Sequence, residues 1–576
     1  MKYRLNINAV LLLCSLMFSH QLFAQLKIDS TQVDKNKLQL KHADKLVLDS
    51  NRNENFYKLV GAVKMQQDDI TMTCDSANFF IENNFLEAFG NVIFSRPNGN
   101  SAMADYVKYT GNIQQAVMKK NVQVIDDGKT LTTDDLVYNL RTKIGKYKYG
   151  GTLENGNTTV SSNVGTYDGK SSNSHFVGNV VITNPEYNID SEELTYNTKT
   201  KMIRFLNQST IVGENGTMET KKGFYNEQTG DAEFTSRTSI ENNEQYVIGN
   251  FLKFNEKNGK GFGKGKVEVI DKKEGTTLTC EQVSFNRKLG YGNAQGNVVV
   301  IDTNNKSKLL AGQLQYNEFS KFSLATKNPK LISLIEKDSL FIAGDTMITC
   351  YEQDVNMLGL KTKNKIDKDA SPFFLLHVEQ AQELGREEKK IIITYQHVKI
   401  FSDSMQAIAD SMSYSQADSV FRLYKNPILW SEKQQAIGDT IFLFTEKNKM
   451  KEMQLLQNAF LVNDTKYPKM YDQLKGKNIT GFFVDGEINE VFVDQNAESL
   501  YYGKDDSEAY IGLNISKGAS INAFFKNKEV KRILIKNDPE GKMIPMDKIQ
   551  DADRFLPDYK WEEAKRPKSK KDVLGK

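Results

Sequence analysis

Read for hydrophobic and polar positions, the chain alternates at period two in short runs, and hardly anywhere shows the three-to-four spacing of an amphipathic helix. The alternation is organised into a repeat of about 29–31 residues. Its clearest line is an apolar residue or Gly, any residue, an aromatic, then Asn or Asp. Examples are Leu136-Val137-Tyr138-Asn139, Gly165-Thr166-Tyr167-Asp168, Leu194-Thr195-Tyr196-Asn197, Leu252-Lys253-Phe254-Asn255, Val283-Ser284-Phe285-Asn286 and Leu314-Gln315-Tyr316-Asn317, with Val107-Lys108-Tyr109 an incomplete copy. Positions two apart share a face of a strand. The pattern therefore predicts that Val107, Tyr109, Leu136, Tyr138, Leu194, Tyr196, Leu252, Phe254, Val283, Phe285, Leu314 and Tyr316 point into the fold.

Two columns run in step with the aromatics. Five residues before each stands a small residue, among them Cys74, Ala104, Thr133, Ser162, Ser191, Thr220, Gly249, Cys280 and Ala311. An odd spacing would turn it away from the aromatic in a regular strand, so a bend or bulge is expected there. Later in each unit Gly90-Asn91-Val92, Lys120-Asn121-Val122, Gly178-Asn179-Val180 and Gly296-Asn297-Val298 read as turns feeding new strands.

The repeat weakens around Phe341–Asp345, gives way to a polar stretch, and resumes with Ala409 and Tyr414. The expected organisation is an export signal over 1–24, a repeat block over 25–350, a polar loop or linker over 351–390, a second block over 391–537, and a basic tail over 538–576, expected to be disordered. Lys2 and Arg4 precede the apolar run Ala9–Phe18, and Leu22-Phe23-Ala24 offers a small residue at a cleavage point, placing the mature start at Gln25.

Composition changes this picture little. A net charge of +3 over 576 residues, with both signs mixed throughout, does not suit a nucleic-acid binder. Cys74 and Cys280 share a column about seven units apart, more than about 30 Å in a stack spaced at one strand per unit, and cannot pair within one copy. His42, His175, His377 and His397 are isolated, so no metal site is expected. Gly259-Lys260-Gly261-Phe262-Gly263-Lys264-Gly265 is not a phosphate loop, since it leads into a strand, and reads as a flexible connection. The acidic pairs Asp68-Asp69, Asp134-Asp135 and Glu192-Glu193 fall at different or solvent-side repeat positions and read as solvated charge. No catalytic residues or cofactors are expected, and the chain does not read as an enzyme.

The lines Cys74-Asp75-Ser76-Ala77-Asn78-Phe79, Ala104-Asp105-Tyr106-Val107-Lys108-Tyr109 and Ala409-Asp410-Ser411-Met412-Ser413-Tyr414, with the Gly-Asn-Val element and the export signal, resemble the OstA-like family. That family includes the periplasmic lipopolysaccharide-transport proteins LptA and LptC and the periplasmic part of the translocon LptD. The long form seen here is similar to the OstA-like proteins of Bacteroidetes-type bacteria. The resemblance implies an all-β, elongated jellyroll of tandem repeats in the periplasm of a Gram-negative bacterium, with association with the outer membrane as a further implied expectation. It also implies an apolar trough for the acyl chains of lipopolysaccharide, with the twelve residues above as its candidate lining. Other transport jellyrolls, or a second copy, would be partners through edge strands, here Leu46-Val47-Leu48 and Val530–Ile535. The role implied is a bridge or accessory that carries lipopolysaccharide toward the outer membrane. An exported β-helix acting on polysaccharide and a structural cell-surface repeat protein stay open beside it, and a fully packed core without ligand would use the same columns.

Overall fold

The computed structural model describes residues 35–49, 56–334, 339–355, 389–447, 449–505, 507–526 and 529–575. The proposed signal over 1–24 and most of the 351–390 loop lie outside them. Almost every described element is an antiparallel strand, and the protein is a β-jellyroll built from tandem repeats. Among the described residues helix is limited to short 3₁₀ turns and one α-helix, Lys570–Leu574. The chain divides into two compact units, residues 1–185 with 195–199, and residues 186–194 with 200–576.

In both units the long strands bend in the middle. In Phe85–Ser95 the ladder to Ser101–Thr110 breaks between Phe89 and Val92, where Gly90 and Asn91 both take positive φ (72° and 43°). Lys120-Asn121, Gly178-Asn179, Gly265-Lys266, Gly296-Asn297, Gln396-His397 and Gln457-Asn458 repeat this pair of left-handed residues. These motifs are therefore corners within strands and not turns between them. Two consecutive left-handed residues redirect the strand without reversing it. The small column lies opposite each corner, Ala104 pairing with Val92, Thr133 with Val122 and Cys280 with Val267. The break also shifts side-chain parity, so Thr133 is buried on the same side as Leu136 and Tyr138 despite the odd spacing.

Each corner divides a strand into two limbs, and stacked limbs form two walls around a core. One wall of the first unit is a ladder of directly paired residues: Met65, Met72, Phe94, Ala102, Val124, Leu131, Leu153, Val160 and Ile182. All are buried, none more than 2% exposed. In the other wall large and small residues alternate across strands, Tyr109 opposite Ala116, Ala116 opposite Tyr138, and Tyr138 opposite Gly145. The alternation lets aromatic rings lie over small neighbours without clash.

Two expectations are corrected here. The Gly259–Gly265 stretch is not a flexible connection: Lys260–Asp271 is a continuous strand paired on both sides. Gly261 is there because a ring covers it, since a Cβ at that position would lie 2.0 Å from Cζ of Phe285. Nor is the stretch after Asp538 disordered. Glu540–Pro545 completes the last repeat against Tyr510–Lys526, and residues 546–575 return across the sheet as an ordered strap.

Candidate functional site: an open apolar wall in the second unit

The second unit carries the same ladder, Ile189, Ile211, Met218, Ile240, Val247, Val269, Leu278, Val300, Leu309, Leu331, Ile342 and Ile400, each paired with the next. Its exposure differs from that of the first unit. Ile189, Ile342 and Ile400 are buried, but every member from Ile211 to Leu331 is only half-buried. At about 4.8 Å per strand those eight steps make an apolar strip roughly 38 Å long that solvent reaches. This half-buried strip is the candidate site.

The cause lies in the opposite wall. In the first unit each strand of that wall contributes at least one bulky inner residue, such as Met118 beside Ala116, Tyr147 beside Gly145 and Phe176 beside Ser174. In the second unit Gly261 and Gly263, then Gly292 and Ala294, then Ser323 and Ala325 occupy the corresponding places. The smaller side-chain volume leaves the ladder from Val269 to Leu331 packed against the core yet only partly covered; beside Ile211–Val247 the opposite wall still carries the buried Phe205 and Phe234.

The mouths of the two cores also differ. In the first unit polar bridges cross from one wall to the other. Tyr109 donates to Gln67 Oε1 (2.8 Å), and Gln67 Nε2 donates to the Gly111 carbonyl (2.9 Å). Arg96 donates to the Leu140 carbonyl (2.9 Å). Asp126, 2% exposed, accepts from Tyr167 (3.0 Å) and pairs with Lys143 (2.7 Å). Burial, and then the Asp126 charge, hold the Tyr167 phenol well above its ordinary range. In the second unit one such bridge stands at the start of the strip, where Tyr187 donates to Glu227, and further along, the mouth carries the solvent-facing ion pair Lys321–Glu274 (3.5 Å). Such a pair holds a mouth only weakly.

The twelve residues singled out from the sequence occupy the inner side of their strands. Val107, Tyr109, Leu136, Tyr138, Leu194, Tyr196, Leu252, Val283 and Leu314 are buried, while Phe254, Phe285 and Tyr316 are half-buried. They belong to the limb that bears the aromatic column. Burial, with Glu318 second, pushes the Tyr316 phenol up to about 12. Lys253 faces outward, exposed and paired with Glu233 (3.1 Å). Sequence reasoning did not name the half-buried ladder on the other limb. Its signal was present, since the Gly-x-Gly and Gly-x-Ala inner pairs mark where the core loses volume.

The cysteines Cys74, Cys280 and Cys350 are free and buried. Cys350 lies apart from the small column, in a cluster with Phe322, Ile391 and Ile393. Among the described residues no group of three His, Cys, Asp or Glu is placed to hold a metal ion, and no helix is long and apolar enough to cross a membrane.

Comparison with known proteins bears on the first part of the chain. Residues 35–192 match the family model for OstA-like proteins, and residues 147–241 match the model for LptC-related proteins of lipopolysaccharide assembly. No match was found among curated proteins. Among solved structures, the chain is similar to LptH of Pseudomonas aeruginosa, the LptA-homologous periplasmic component of its lipopolysaccharide transport device. The identity is 16%, over 24% of this chain and 93% of that one, with a TM-score of 0.20. Residues 35–241 are therefore similar to OstA-like proteins and, in their later part, to LptC-related proteins of lipopolysaccharide assembly.

Proposed function

We propose that this protein acts in the periplasm as a carrier of lipopolysaccharide toward the outer membrane, holding acyl chains against the half-buried ladder from Ile211 to Leu331. The observation that carries the reading is the contrast between the two units. The same repeat gives a sealed core in one and a solvent-reached apolar strip in the other. A packed structural core gains nothing from leaving Met218, Leu278 and Leu309 half-exposed. An acyl chain would remove that surface from water at about 25 cal/mol per Å².

The bridge role adds partners at the sheet edges. Lys45–Asp49 pairs with Phe56–Gln67 on one side only among the described residues, and Leu46, Val47 and Leu48 are 50%, 42% and 55% exposed. At the other end Glu529–Lys536 pairs with Tyr510–Lys526. Edge strands of this kind accept a strand from another jellyroll or a second copy. Binding of labelled lipopolysaccharide by the delipidated protein, alongside a polysaccharide panel, tests the reading. Saturable uptake of lipopolysaccharide supports it, and uptake of polysaccharide alone would favour the β-helix alternative.

A further inference from the structure

The strap that follows the last repeat has a basic end, and the fold puts that end somewhere definite. Between Lys560 and Gly575 the cations are Lys560, Lys565, Arg566, Lys568, Lys570 and Lys571, against the carboxylates Glu562, Glu563 and Asp572. A free tail of this composition would sample all directions. This one is fastened to the outer face of the second unit, on the side of the sheet away from the ladder. Three buried glutamines on separate strands hold its backbone or side chains. Gln473 Nε2 donates to the Arg554 carbonyl (2.9 Å) and its Oε1 accepts from Leu556 N (2.9 Å). Gln435 Nε2 donates to the Lys560 carbonyl (2.7 Å) and its Oε1 accepts from Glu562 N (2.7 Å). Gln406 Oε1 accepts from Arg566 Nε (2.8 Å). Leu556, Tyr559 and Trp561 pack with Phe460, Val462 and Leu500 between these points.

The strap ends in the helix Lys570–Leu574, whose Val573 is buried and whose Leu574 carbonyl accepts from Lys330 Nζ. Lys330 pairs across strands with Ala343, and Ala343 with Lys399, so both lysines stand on this outer row. Asp572 sits among them, but its carboxylate accepts from the amides of Lys568 and Ser569 (both 2.8 Å), which, with Lys399 nearby, lowers its pKa. Glu562 pairs with Lys565 (3.1 Å), and Glu563 with Arg566 (3.5 Å). Lys568, Lys570, Lys571 and Lys399 remain exposed beside Lys330.

We propose that Lys330, Lys399, Lys568, Lys570 and Lys571 form one composite cationic surface that docks the second unit onto a bilayer carrying anionic phospholipid headgroups. Residues distant in sequence are brought together by a strap that several buried side chains hold in place. Charge complementarity then selects an extended anionic surface. The patch lies on the opposite face of the wall from the ladder, so the proposal does not depend on lipid in the trough.

Flotation of the full chain with vesicles tests it, using phosphatidylcholine alone and phosphatidylcholine with phosphatidylglycerol at 7:3. The expected result is binding to the anionic vesicles only, weakened by salt. Lys568→Glu/Lys570→Glu/Lys571→Glu and Lys330→Glu/Lys399→Glu should each reduce it, by roughly fivefold or more for each lysine. Circular dichroism checks that each variant is folded. Equal binding to neutral vesicles would overturn the proposal, as would binding to lipopolysaccharide micelles but not to anionic vesicles. So would loss on changing the strap lysines with none on changing Lys330 and Lys399, because the cations would then act as a free tail.

Discussion

The family-like line of small residue, acid and later aromatic has a physical origin in the corner. The acid that follows the small residue reaches across the bend to the second left-handed residue. Asp75 accepts from Asn91 (2.9 Å), Asp105 from Asn121 (2.7 Å) and Glu281 from Asn297 (2.6 Å), and Asp345 contacts His397 (2.7 Å), whereas Asp410 pairs with Lys425 (3.0 Å), the first residue of its left-handed pair. Asn suits the position twice, since it tolerates left-handed backbone and supplies the donor. Asn121→Val keeps neither property. It should cost about 1–2 kcal/mol from backbone conformation alone, seen as a lowered urea midpoint against wild type, whereas Asn121→Gly should cost less. The Asn after each aromatic serves the hairpin instead. Asn226 Oδ1 accepts from Gln228 N (2.9 Å) and Thr229 N (3.0 Å), and Asn317 repeats this with Phe319 (3.0 Å) and Ser320 (2.9 Å). Asn317 Nδ2 also donates to the Leu289 carbonyl of the preceding unit (3.0 Å), tying neighbouring hairpins together. The buried thiols give a pH-dependent prediction. Burial first, and Asp75 second, push Cys74 from 9.0 to about 12, and burial pushes Cys280 to about 11. A folded pKa above the unfolded one contributes stability that is fully present below pH 9 and is lost as pH rises through 11 to 12. Maleimide labelling at pH 8 should be negligible in the native protein and rapid in denaturant; fast native labelling would contradict the assigned burial.

At the scale of the element, what distinguishes the open wall from the sealed one is the volume of the inner side chains, not the strand pattern. Strands Lys260–Asp271 and Tyr291–Asp302 hold the same register as their counterparts in the first unit, and differ in carrying Gly261, Gly263, Gly292 and Ala294 inward. Gly263 is the position where volume can be restored with least disturbance. A Cβ there meets Leu252, Val267 and Val283 at 3.2–3.4 Å, tight but against side chains, whereas at Gly292 it would lie 2.1 Å from the Tyr316 ring. Gly263→Leu is expected to lower lipopolysaccharide uptake about tenfold while leaving the far-ultraviolet β spectrum unchanged. Unchanged uptake in the folded variant would mean that the lipid does not lie against this wall.

Across the whole chain, the sequence made the repeat, the all-β class and the inward columns legible because stacking units must keep the same residue types at the same places. The corners were misread as turns because Gly-Asn marks left-handed backbone in either setting; only the pairing on both sides of Asn91 shows that the strand continues. The glycine-rich segment was misread because local composition does not show that Phe285 lies over Gly261. The tail was misread because its anchors are single side chains, Gln406, Gln435 and Gln473, more than eighty residues upstream of their contacts. Which residues of the second unit stay half-exposed depends on both walls together, so no single column contained it. The proposed edge pairing is tested at Ile533, opposite Ala523. Ile533→Pro removes a backbone donor from the terminal strand and should weaken end-to-end association in sedimentation while the interior units stay folded. A strict monomer both before and after the change, with no transport partner recovered by either edge, would leave the bridge without a mechanical basis. The central claim, an open lipid-bearing wall in the second unit and a sealed core in the first, is tested most directly by photo-crosslinking in cells. Crosslinking residues at Leu278 and Leu309 should capture lipopolysaccharide, whereas Leu131 in the sealed ladder and the outward Lys253 should not; equal capture at all four positions, or none in a folded protein, would contradict it.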